Sequence, residues 1–159
     1  MAKSLTFQTH DHARCVSDNL SMVETACSDR GVRLTPIRRR VLEILLEEHR
    51  AIGAYDVLGR LAEDGLGSQP PVVYRALEFL VGQGFAHRVP GISAFIACGF
   101  PTEAHSPVFL ICRSCKRVAE ADPGTATDAI QETAAIHGFA VERASIEAEG
   151  LCDGCAAAE

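Results

Sequence analysis

The chain has 159 residues, 47% of them apolar and 23% charged, enough to bury one large core or two small ones, which excludes wholesale disorder. Its apolar runs fall far short of the roughly 20 residues that span a bilayer, and the first residues carry no apolar signal segment, so a cytoplasmic protein without a membrane partner is expected. Residues 1–90 balance 11 Lys+Arg against 11 Asp+Glu while residues 91–159 carry 4 against 10, so any contact with nucleic acid must come from local arginines in the first part.

Residues 1–15 are polar and without period, and read as a flexible tail. A helical pattern runs from Val16 to about Arg30 and stops at Gly31. Thr35-Pro36 is a helix start with its cause visible, an N-cap hydroxyl followed by a proline whose missing N–H is harmless there. Ile37, Val41, Ile44 and Leu45 form one face of that helix, and Arg38, Arg39 and Arg40 cluster at its beginning. A third helix is expected over 54–63, ending at Gly65, and a fourth over 70–83, with Val73, Leu77, Leu80 and Val81 as its buried stripe. Two short strands, 85–89 and 94–98, flank Pro90-Gly91 and read as a β-hairpin. Helices closed by a hairpin outline a winged helix-turn-helix over 16–98. Residues 99–107 read as a linker or hinge. Beyond them, strands at 108–111 and 117–121, a helix at 127–137 and a long strand at 139–148 make residues 108–159 a small α/β unit, so the fold class is α+β.

Three constellations carry chemistry. Cys112-Arg-Ser-Cys115 and Cys152-Asp-Gly-Cys155 are two knuckles whose four thiolates suffice for a tetrahedral zinc shell with bonds of about 2.3 Å. A redox dithiol needs only one such motif, so structural zinc is the better reading. His87, Cys98, His105 and Glu120 are individually unremarkable, and each can be satisfied structurally; together they offer the mixed N, S and O donors that zinc accepts. The third is the start of the helix over 70–83, where Tyr74 and Arg75 lie off the buried stripe, at the end that a recognition helix presents to DNA. The alternative for Tyr74 is core packing and for Arg75 a solvated face. Of the arginine run, Arg38 is the candidate for one phosphate contact.

The segments RLTPIRRRVLEIL, AYDVLGRL, PPVVYRALEFLVGQGFAHRV, FLICRSC, HGFAV and IEAEGLCDGC resemble successive blocks of the ferric uptake regulator family, most like its zinc-sensing branch, over residues 25–155. The resemblance implies an N-terminal winged helix on operator DNA and a C-terminal dimerisation domain. It also implies two zinc ions per chain, a structural one on Cys112, Cys115, Cys152 and Cys155 and a regulatory one on His87, Cys98, His105 and Glu120. It further implies a repressor of zinc-uptake genes, a homodimer, and no small-molecule substrate. Two departures stand out: the His-rich stretch of iron-sensing members is reduced to Ala104-His105-Ser106, and the usual Thr before Val-Tyr-Arg is Val72. Cys15 and Cys27 have no partner spacing and read as packing or incidental thiols.

Charge limits the mechanism. Filling the regulatory site adds two charges and removes one Cys98 proton, a small gain that salt screens beyond about 10 Å. The expected switch is therefore geometric: one ion staples two domains and sets the spacing of two recognition helices in a dimer. The rivals are an iron- or peroxide-sensing member of the same family, for which Cys98 is the wrong donor, and a dithiol redox enzyme with a reactive low-pKa thiol.

Overall fold

The computed structural model describes residues 6–8 and 10–158. Four helices come first: α1 (His12–Arg30), α2 (Pro36–Leu46), α3 (Ala54–Glu63) and α4 (Pro70–Gly82). They are followed by the antiparallel hairpin β1 (Ala86–Val89) and β2 (Ala94–Ala97), whose Ala86 faces Ala97. The remainder is β3 (Val108–Cys112), β4 (Val118–Ala121), α5 (Thr125–Ile136), β5 (Ile146–Gly150) and the short α6 (Asp153–Ala156), with strand order β4-β3-β5.

Local chemistry accounts for the helix ends. The Thr35 hydroxyl accepts from the Arg38 N–H, and Pro36 occupies the first turn of α2. α1 stops where Gly31 takes the left-handed conformation, φ 65°, a region that costs glycine nothing. One core, built from Val23, Val41, Leu42, Ile44, Leu45, Val57, Leu61, Leu77, Leu80 and Phe85 among others, unites the four helices with the start of the hairpin. A smaller core of Val89, Ile96, Phe109, Ile111 and Val118 lies between the hairpin and the second sheet. Backbone bonds also cross this seam: the Val118 N–H donates to the His49 carbonyl at 2.9 Å, and Arg50 bridges Arg117.

Three sequence expectations are corrected. α1 begins at His12 rather than Val16, because Asp11 caps it by accepting from the Arg14 N–H, so residues 12–15 are helix and not tail. Residues 1–5 of the expected tail, and residue 9, lie outside the described residues. The long strand over 139–148 is only Ile146–Gly150; it pairs parallel with the five residues of β3 in the register Val108 to Ile146, and residues 139–145 are spent on the return from α5. Val81 is 36% exposed, and Ala76 takes its place among the buried residues of α4.

Candidate metal centres

The second constellation is brought together from four places. His87 stands on β1, Cys98 directly after β2, His105 in the segment between the two sheets, and Glu120 on β4. Their donor atoms all lie within 4.8 Å of one another. His87 Nε2 is 3.2 Å from His105 Nε2 and 3.0 Å from Glu120 Oε1, while Cys98 Sγ is 3.6 Å from His105 Nε2 and 3.8 Å from Glu120 Oε1. A tetrahedron with bonds of about 2.0–2.3 Å has edges of about 3.3–3.8 Å, so these separations already approximate the edges of a zinc shell.

The surroundings hold the donors in place. Glu120 is 5% exposed and Cys98 is fully buried. The Gly99 N–H donates to Glu120 Oε2 at 2.8 Å, leaving Oε1 toward the imidazoles, and His105 also hydrogen-bonds Oε1. His105 Nδ1 donates to the Glu103 carbonyl at 2.8 Å, which fixes the ring with Nε2 turned toward the cluster. Burial alone would push the Glu120 carboxyl up, but His87, the Gly99 N–H and His105 outweigh it and hold the group below the usual carboxylate range. Burial, then the facing Glu120 carboxylate, push the Cys98 thiol far above its ordinary value. A buried carboxylate kept ionised beside two imidazoles and a thiol is a donor set that suits zinc.

The two knuckles also meet. Cys112 closes β3, Cys115 follows in the turn to β4, and Cys152 and Cys155 lie after β5 at α6. All four sulfurs fall within 4.8 Å, with Cys115 Sγ and Cys152 Sγ 3.9 Å apart. The parallel pairing of β3 with β5, which sets Cys112 beside Gly150, closes the 36-residue gap between the knuckles. Backbone N–H groups of Cys152 and Cys115 hold the Cys112 thiol down to about 6, so one thiolate is available at neutral pH.

The candidate DNA residues sit differently. Tyr74 is 43% exposed and Arg75 is exposed, both off the buried face of α4. Val72 packs close to Gly67. Arg38 is half-buried, its guanidinium stacked 3.7 Å from the Phe79 ring centre and bonded to the Arg33 carbonyl. Arg39 and Arg40 are engaged by Glu24, Glu43, Glu47 and Asp64.

One cluster escaped the sequence reading. His10, His12, Cys15 and His49 also place four donor atoms within 4.8 Å of one another. The only signal was the density of His and Cys between residues 10 and 15; nothing in the spacing announced His49.

Comparison with known proteins finds close relatives along most of the chain. The ferric uptake regulator family profile matches residues 29–149. The zinc uptake regulation protein of Escherichia coli (strain K12) is 40% identical over 141 residues, 88% of this chain and 82% of that protein. A solved structure of a zinc uptake regulator complexed with zinc and DNA superposes with a TM-score of 0.85 at 38% identity, covering 90% of this chain and 96% of that one. Holo XcZur gives 0.79 at 39% identity, covering 87% and 96%, whereas apo XcZur gives 0.53 at 38% identity, covering 90% and 99%. This chain belongs to the ferric uptake regulator family.

Proposed function

We propose that the chain is a zinc-responsive, DNA-binding transcriptional repressor controlling zinc-uptake genes, with His87, Cys98, His105 and Glu120 as the sensing ligands and Cys112, Cys115, Cys152 and Cys155 as a structural set. The observation that carries this reading is the convergence of the first four side chains from hairpin, linker and β4. When bound, zinc would supply there a single cross-link among the four side chains in place of a protonated Cys98 thiol and the hydrogen bonds of the two imidazoles to Glu120. The rest follows from the chain's own residues. Residues 16–98 act as a winged-helix reading unit, 99–107 as hinge and 108–159 as dimerisation unit. Tyr74 and Arg75 reach base edges or phosphates from the first turns of α4, and Arg38, with N–H groups to spare, reaches a phosphate.

A homodimer is supported by α5, which buries none of its residues within one chain, and by Leu110, Ile136 and Phe139, which are 40, 83 and 66% exposed. Apolar surface of this kind marks an interface. The likeness to the holo form of XcZur over its apo form, at nearly equal identity, supports a switch by relative pose. In a dimer that pose sets the separation of two reading helices against half-sites about 34 Å apart or a multiple of it. The protein then acts by binding and catalyses nothing. The buried Cys98 thiol at the sensing site disfavours an iron or peroxide sensor, and four convergent thiols disfavour a dithiol exchange enzyme.

The test is an operator-binding titration against free zinc, iron(II) and manganese(II), with metal counted per chain. Zinc should drive binding at the lowest free concentration, and Cys98→Ser should lose zinc-dependent binding while remaining a folded dimer. Undiminished zinc dependence in that variant would remove Cys98 from the switch.

A further inference from the structure

We propose that His10, His12, Cys15 and His49 form a third metal site, separate from the sensing and structural sets, that takes zinc(II) or a divalent ion of the same borderline class in a shell of three imidazoles and one thiolate. His12 and Cys15 lie three apart in the first turn of α1 and therefore share a face. His10 precedes the Asp11 cap, and His49 comes from the segment after α2. The four donor atoms lie within 4.8 Å of one another, and His49 Nε2 is 2.9 Å from His10 Nε2.

The orientation of the rings points to a ligand rather than to packing. His12 Nε2 lies 2.9 Å from the Glu47 carbonyl, which can only accept, so that nitrogen carries the proton. Its Nδ1 is then a lone pair, and it is buried with no hydrogen-bond partner. His10 Nδ1 lies 3.0 Å from the Gln8 carbonyl and donates to it, which leaves Nε2 as the lone pair facing His49. Each of these rings is thus held by a backbone carbonyl with its free nitrogen turned into the cluster, the outer-shell arrangement of metal-bound histidines. A histidine hydrogen-bond cluster explains the contact between His10 and His49 but leaves His12 Nδ1 unsatisfied, which a buried acceptor rarely is. Imidazole with thiolate selects zinc, copper or nickel over magnesium or calcium.

The site would tie the beginning of α1 to the seam between the two sheets. The His49 carbonyl accepts from Val118, and a recess of about 210 Å³ lined by His12, Cys15 and His49 extends to Cys98 and Glu120. One turn along α1 from Cys15, Asn19 donates to the Cys98 carbonyl at 2.8 Å. The third cluster is therefore one helical turn from the sensing ligands.

The experiment loads the full metal-free chain with zinc, removes free metal and counts ions per chain for the wild type, Cys15→Ser, His49→Gln and Cys98→Ser. A cobalt(II) titration, read by thiolate-to-cobalt absorption, accompanies each. Cys15→Ser and His49→Gln should each hold one ion fewer than the wild type, and Cys15→Ser should lose one thiolate-cobalt component while the sensing component persists. Cys98→Ser should lose a different ion, so failure of the sensing reading registers separately. Equal metal content in wild type, Cys15→Ser and His49→Gln, with unchanged cobalt spectra, would reduce the cluster to a hydrogen-bond network and overturn the proposal.

Discussion

At the scale of single residues, Glu120 and Cys98 set the chemistry of the proposed sensing site. Glu120 remains ionised despite being 5% exposed because three donors face it, whereas Cys98 is held protonated by burial and by that same carboxylate. Ligation must therefore displace the Cys98 proton, and zinc affinity at this site should strengthen by about tenfold per pH unit across neutrality. The Glu103 carbonyl and Glu120 outweigh burial and raise His105 above its ordinary value. As pH falls through that raised value a second proton competes, so the slope should steepen on the acid side. A competition titration with a chromophoric chelator checks this, and a flat profile would contradict thiolate ligation. The four knuckle cysteines were legible in the sequence because two residues between thiols is itself a metal spacing. The proposed sensing ligands were not legible from spacing, since a hairpin, a linker and β4 must fold before they meet; only the family resemblance singled them out. His10, His12, Cys15 and His49 had neither aid.

Among the elements, α4 divides into a buried face and an exposed one. Val73, Ala76, Leu77 and Leu80 are buried against the other helices, and Tyr74 and Arg75 project away. Leu77→Ala should cost about 2–5 kcal/mol of stability through the cavity it leaves. Tyr74→Ala should change stability by no more than about 0.5 kcal/mol yet weaken operator binding measurably. Denaturant melts and DNA titrations on the two variants distinguish these effects, and a Tyr74→Ala protein with full operator affinity would remove that residue from the interface. The helices were legible because their caps and apolar periods agree, Thr35-Pro36 and Gly31 above all. The last strand was not: residues 139–145 carry strand-forming types, but parallel pairing needs only the five partners that β3 offers. The partners of the arginine run were not legible for a related reason, since Glu24, Glu47 and Asp64 come to Arg39 and Arg40 from other elements or the end of the helix.

For the whole molecule, the pose of hairpin against second sheet rests on a small apolar core, a few backbone bonds between the segment after α2 and β4, the Gly91 N–H on the Glu147 carboxylate of β5, and the side chains of the proposed sensing site. Backbone hydrogen bonds contribute about 0.5–1.5 kcal/mol each, too little by themselves to hold one arrangement while Cys98 stays protonated and no ion joins the four side chains. Solution scattering should therefore report a narrower distribution of shapes with zinc than after chelation, and Cys98→Ser should keep the broad distribution at any zinc level. Identical curves in both conditions would sink the pose mechanism. The acidic balance of residues 91–159 leaves DNA attraction to the first part of the chain.

The helix α5 carries a consequence of its own. With no residue buried inside a single chain, it gains little from folding alone, since short helices in water are marginal without a surface to pack on. In the proposed dimer its order would depend on meeting another copy, and thermal resistance would become a function of how many chains share a given volume. Scarcity of the regulator would itself leave molecules half-formed, and cellular abundance would decide how much of the population is competent before any metal is encountered.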